Sequence, residues 1–564
     1  MLKASAKAIT GFLSKPHVRA GLALGAAAAI ESNQPSLIPR PRTDQALVVA
    51  GSAATGYVAG SAIGRVIDVV PISAPRPAAL LRGRASRIAA GAVVASAASA
   101  GAVAYLRSRL DRYDTDGKIP PDGTDVAWTL GAGIAITAGV GGVILTKRKV
   151  SSALASRLSS SVGGPKAVWL PLTVGTFAGA TFLAGRAVKD SVFKKISASN
   201  RKTEVRYAEP PIISTASGST DSTVRFEDLG LQGRRFVSET STGAQIDDVM
   251  EADGAIDAVR VYIGVESADT VEGRVALAIE ELRRTGAFER SLLIVGSPAG
   301  TGYFNYIPVE AAEYLAGGDV ASVAIQYGSL PSMLSMSKAG LAIRQHAALL
   351  DAIAEELRAI GPDRRPRIVL YGESLGAQTS QGAFTGRGTE ILDELGIDRA
   401  LWVGTPHASA WHREVFSDGS SVDHTIFGRF SSIRDYRALS DEARARMRFL
   451  FLDHHEDPVT LFSHEIAYRK PPWLGAPETR PPNISRTQRW VPGVTFWQTA
   501  IDTKNAATVV PGEFKAFGHD YRADLAEFVR AAYGLDGVTP GQMKRIEERL
   551  RTSEIERAAR IADG

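Results

Sequence analysis

A chain of 564 residues exceeds one typical domain, and its two parts are unlike: to about residue 190 it is rich in Ala, Gly and Val with long uncharged stretches, whereas the remainder has the mixed charge of a water-soluble enzyme. Net charge is only +5, the basic residues gather in short clusters between apolar runs, and no nucleic-acid motif is present, which suits membrane flanks and argues against a nucleic-acid surface. The absence of cysteine excludes disulfides, thiolate metal sites and a cysteine nucleophile.

Lys3, Lys7, Lys15 and Arg19 precede the first apolar stretch, but no small-residue cleavage site follows, so a cleaved signal peptide is not expected. Four uncharged stretches, 45–64, 88–106, 126–146 and 167–185, are long enough to cross roughly 30 Å of hydrocarbon as helices. Their Gly and Ala content favours close helix packing in a bilayer. A soluble helical bundle is the alternative, but four such spans bounded by Arg and Lys exceed what a soluble core requires. A fifth stretch, 20–39, is interrupted by Glu31 and ends in proline-rich sequence. Counting it gathers Lys and Arg on one side and predicts a multi-pass protein of the cell membrane with its C-terminal domain outside the cytoplasm; four crossings give no such bias. Residues 1–190 are thus expected to be an all-α transmembrane module, and 191–256, with Pro210, Pro211 and a polar run at 214–223, a linker and the entry to the next domain.

From residue 257 short β-branched runs alternate with amphipathic segments, the pattern of an α/β fold with a mostly parallel sheet flanked by helices. Strands are expected at 259–265, 291–297, 322–328, 367–372, 400–405 and 448–453. The fourth ends in Gly372-Glu373-Ser374-Leu375-Gly376 and leads into a helix. A serine on such a sharp turn needs small neighbours two positions away on each side, and the turn aims the Leu375 amide at a developing oxyanion. Alone, that motif is also met in ordinary strand-to-helix turns. A serine, acid, histidine order then selects Asp457 and His519, with Asp453 the rival acid at the strand terminus. The glycine-rich loop after the second strand offers Gly300, Thr301 and Gly302 as further oxyanion donors, with Tyr303 and His407 as substrate contacts. His454, His455, Glu456 and Asp457 also invite a metal site, but adjacent side chains on extended backbone face opposite ways; no metal and no cofactor are expected.

The catalytic domain is expected over 257–536, with long aromatic insertions at 405–445 and 460–510 as lids, followed by a charged, solvated helix within 537–564. Over nearly its whole length the chain resembles the integral-membrane α/β-hydrolase family of actinobacteria and other bacteria. The resemblance is carried by PSLIPRP (35–41), GTGYFN (300–305), IQYGSLPS (325–332), YGESLGA (371–377), LWVGTPH (401–407), HHEDPV (454–459) and FGHDY (517–521). It implies an α/β-hydrolase fold behind a membrane module and a Ser374, Asp457, His519 triad. In that family the loop after LWVG continues with proline and asparagine, and His407 departs from it. The expectation is a serine hydrolase cleaving a membrane lipid or aminoacyl-lipid ester beside the bilayer. An envelope acyltransferase using the same residues and a catalytically silent scaffold or transport-associated protein are the alternatives.

Overall fold

The computed structural model describes residues 15–69, 100–114, 116, 118–176, 186, 204–331, 335, 338–417, 420, 422–506 and 508–562. Runs rich in Ala, Leu, Val and Gly in the first part of the chain, with no proline beyond the first turn, form helices at Pro16–Glu31, Arg42–Val69, 100–114 and Gly123–Ser161. Pro16 starts the first, and Asp122 caps the last by accepting from the Asp125 amide at 2.7 Å. The first two helices run antiparallel with their backbones nearly touching: a Cβ on Gly60 would fall 2.3 Å from the Ala20 carbonyl oxygen, and one on Gly56 2.5 Å from that of Leu24. Only glycine permits that approach.

Among the described residues, two helices, Arg42–Val66 and Gly123–Ser161, are long and apolar enough to cross a membrane. The second has 39 residues, about 58 Å at the helical rise. Ile134, Ile136, Val140, Val143 and Ile144 are exposed along it, and Lys147, Arg148 and Lys149 follow, so the apolar part matches the expected 126–146 span. The stretch expected at 20–39 is shorter: its helix stops at Glu31, after 16 residues. Glu31 is buried and pairs with Arg109 at 2.9 Å and Arg112 at 3.3 Å, which accounts for a carboxylate in an otherwise apolar helix. Most of 88–106 and the end of 167–185 lie outside the described residues.

The chain divides into two compact units, Met1–Gly185 with Phe462–Asn505, and Arg186–Leu461 with Ala506–Gly564. Much of the expected 460–510 lid therefore belongs to the helical unit. There Gln34 accepts from the Arg489 amide (2.9 Å) and Arg112 (2.8 Å), Asp116 accepts from Thr487 (2.8 Å), Lys504 pairs with Asp44 (2.7 Å), and Arg40 of the PSLIPRP motif pairs with buried Asp502. Trp497 packs against Gly51, where a Cβ would fall 2.4 Å from its Cδ2, and donates to Thr55.

In the second unit the strands are β1 (Val259–Ile263), β2 (Leu292–Ser297), β3 (Val320–Ile325), β4 (Arg367–Glu373), β5 (Ile397–Val403), β6 (Phe427–Phe430) and β7 (Phe449–Leu452). They form one parallel sheet in the order β1-β3-β2-β4-β5-β7-β6. Their unbroken apolar runs suit a sheet covered on both faces. All six expected strands are present. β6 is an addition inside the expected 405–445 lid; with only four residues at the sheet edge it is defined by pairing to β7. Trp411, Phe427 and Phe430 are buried in the core with Trp402 and Phe449, so these aromatics pack the fold and do not form a lid.

Two further expectations change. The presumed linker is folded from residue 204: Phe236, Val237 and Ile246 enter the core, and the polar run pairs along β1, with Arg260 N–H donating to the Thr215 carbonyl. Buried Arg260 is matched by Glu313 at 2.6 Å. The C-terminal helix, Pro540–Ala562, is docked: Met543, Ile546 and Leu550 are buried, and Arg557 pairs with Glu310 at 2.6 Å over the Tyr306 ring. Gly60→Val should destabilise the helical unit by about 1–3 kcal/mol through overpacking, whereas Gly139→Ala, which meets nothing within 4 Å, should stay within about 1 kcal/mol of native; thermal unfolding in detergent reads both.

Candidate active site

β4 is the middle strand of seven, and the helix Leu375–Gly382 begins at once after it. The junction residue, Ser374, has φ 56° and ψ −125°, a conformation that costs a non-glycine residue about 1–3 kcal/mol. The turn is held by close approaches: a Cβ on Gly376 would fall 2.2 Å from the Ser297 carbonyl oxygen, and one on Gly372 2.8 Å from Ala377 Cα. The Ser374 amide donates to the Val403 carbonyl at 2.9 Å, which fixes the half-buried serine against the end of β5. Leu375 opens a helix, so its amide has no helical acceptor and is free to serve an oxyanion.

His519 comes from a loop far along the chain. Its Nδ1 lies 2.6 Å from Asp457 Oδ2, both groups buried. The ring rests on Gly404, where a Cβ would fall 2.5 Å from His519 Cε1, so the Ser374 backbone and the His519 ring abut the consecutive residues Val403 and Gly404. Burial alone would lower the imidazolium pKa, but the Asp457 carboxylate, helped by Glu373 and Asp453, overcomes it and leaves His519 above its ordinary value.

The rival acid, Asp453, is occupied elsewhere. Its Oδ1 accepts from the Thr405 amide (2.8 Å), and its Oδ2 faces Arg429 (3.1 Å) and His412 (3.5 Å). Burial opposes its ionisation, yet His412 and Arg429 keep its pKa below the usual carboxylate value. Asp453 therefore orders the loop after β5.

In the glycine-rich loop Gly302 has φ 87°, and its amide is spent on the Ala299 carbonyl at 2.9 Å. Its carbonyl accepts from Tyr262. Gly302 is thus a turn former, a correction to its expected donor role, and leaves Gly300 and Thr301 as this loop's candidates. Tyr303 is half-buried, edge-on to Tyr306 at 5.5 Å; burial, then Tyr306 and Glu373, raise its pKa well above the ordinary value. His407 is exposed, and its carbonyl accepts from Arg413.

The roles of three further residues at the site were not read from the sequence. Glu373, beside the serine, accepts from Asn305 (2.6 Å) and Tyr371 (2.7 Å). His454 Nδ1 lies 2.9 Å from the Gly518 carbonyl oxygen and so ties the Asp457 loop to the His519 loop. Tyr521 donates to Asp457 at 2.6 Å. Only the position of Tyr521, two residues beyond His519, offered a cue.

A strained serine at the central strand of a parallel sheet, with a buried histidine and aspartate beyond it, defines the α/β-hydrolase class. The chain belongs to the alpha/beta-hydrolase family: the model of that family matches residues 259–546, and the model of its N-terminal region matches 34–240. Neither the curated proteins nor the solved structures contain a match. Family membership supports a hydrolase-like function.

The raised pKa of His519 carries a stability consequence. The folded state favours the imidazolium, so its contribution is fully present below about pH 6.5, the unfolded value, and is lost as pH rises through the folded value. The difference in unfolding midpoint between the native chain and His519→Gln should therefore shrink above about pH 6.5.

Proposed function

We propose that the protein is a membrane-anchored serine hydrolase that cleaves a carboxylic ester through an acyl-enzyme intermediate. The observation that carries this reading is the placement of strained Ser374 and the buried Asp457–His519 pair against adjacent residues of β5. In the first step Ser374 Oγ attacks the ester carbonyl carbon while His519 takes its proton. The oxyanion receives hydrogen bonds from the Leu375 amide and from Gly300 or Thr301. Collapse breaks the ester C–O bond, and His519 returns the proton to the departing alcohol. Water then gives a proton to His519 and attacks the acyl carbon; the acyl–Oγ bond breaks, His519 returns the proton to Ser374 Oγ, and the carboxylic acid leaves.

Two features favour a lipid or aminoacyl-lipid ester drawn from the bilayer. The helical unit exposes apolar side chains along a helix long enough to span, which suits residence in a membrane. The Glu373 carboxylate, adjacent to the nucleophile and acting on His519, suits an acyl group that carries an ammonium. Tyr303 and exposed His407 are the side chains we assign to substrate contact.

Fluorophosphonate labelling of the detergent-solubilised protein tests the assignment. Peptide mapping should place the adduct on Ser374, Ser374→Ala should abolish it, and His519→Ala should slow it by about 10²–10⁴-fold. A folded native chain that takes no label would remove the nucleophile from this reading.

A further inference from the structure

Asp457 accepts three hydrogen bonds. Its Oδ1 accepts from the Val459 amide at 2.8 Å, while Oδ2 accepts twice, from His519 Nδ1 at 2.6 Å and from the Tyr521 hydroxyl at 2.6 Å. The phenol oxygen in turn accepts from the His454 amide at 3.1 Å. Its ring is only 2% exposed, stacks on His454 at 4.1 Å and meets His519 edge-on at 5.6 Å. With donor and acceptor both engaged and the ring enclosed, Tyr521 has one orientation available.

We propose that Tyr521 is a positioning residue that shares Asp457 Oδ2 with His519 and so sets how firmly the acid holds the base. The proposal rests on the reading of Ser374, Asp457 and His519 as a triad. A carboxylate oxygen that accepts from a phenol offers less of its charge to the imidazolium. Removing the phenol returns that charge to His519, and a stronger phenolic donor withdraws more of it. The other ionisable groups that act on this pair are Glu373 at the end of β4 and Asp453 at the end of β7. His454 stacks on the Tyr521 ring, and Glu456 accepts from the Gly518 amide at 3.2 Å. Tyr521→Phe leaves all these side chains in place and removes, besides the bond to Asp457, only the acceptor of the His454 amide, which the fluorinated phenol retains.

The test is the pH dependence of the rate at which a fluorophosphonate labels Ser374 in the full-length, detergent-solubilised protein. The native chain is compared with Tyr521→Phe and with a chain carrying 3-fluorotyrosine at 521, whose phenol is the stronger donor. The acid limb should move up by about half a pH unit or more in Tyr521→Phe and move down with 3-fluorotyrosine. A merely structural role would lower the plateau rate or the unfolding temperature and leave the limb in place. The fluorinated ring exchanges one hydrogen for fluorine and keeps the hydroxyl, so it keeps the test available if Tyr521→Phe does not fold. Labelled proteins whose limbs coincide with the native one would overturn this proposal alone; a folded native chain that takes no label would overturn the triad reading and this proposal with it.

Discussion

The site depends on one buried contact, the 2.6 Å hydrogen bond between Asp457 and His519, and that contact joins two loops the chain does not keep together. Between them the chain leaves the second unit after Leu461 and returns at Ala506. Local geometry therefore cannot align the pair. Instead the loops are stitched side by side: His454 to the Gly518 carbonyl, Glu456 to the Gly518 amide, Asp457 to His519 and Tyr521, and Tyr521 back to the His454 amide. Each bond sits in a water-poor setting, where a satisfied network is rigid and a broken one is costly.

The serine side is positioned by the backbone itself. A parallel sheet brings every strand to the same edge by its C-terminal end, so β4, β5 and β7 deliver Ser374, Gly404 and the Asp457 loop to one place. The positive φ of Ser374 survives because Gly372 and Gly376 let the strand, the helix and the Ser297 carbonyl close around it. Acidic groups outnumber basic ones around the imidazole, which is why His519 stays easier to protonate than its burial alone would allow.

In the helical unit, polar residues within apolar sequence are structural ties. Glu31 meets Arg109 and Arg112 of the 100–114 helix, while Arg40 and Asp44 meet Asp502 and Lys504 and so anchor residues 462–505. Burying such charges is tolerated only with partners, and here each partner comes from a distant part of the chain.

The sequence by itself determined the elements whose signal is local. Six strands, the serine on its turn, and the acid and base candidates follow from apolar periodicity, glycine spacing and chain order. Tertiary structure decided what pattern cannot encode. β6 exists because β7 supplies its hydrogen bonds, the C-terminal helix docks because Met543, Ile546 and Leu550 find a core, and 462–505 joins the helical unit through long-range ion pairs. The choice of Asp457 over Asp453 was likewise open in sequence. In the structure Arg429, His412 and Thr405 surround Asp453, while His519 and Tyr521 meet Asp457, because an acid's partners are its neighbours in space and those are not its neighbours in the chain.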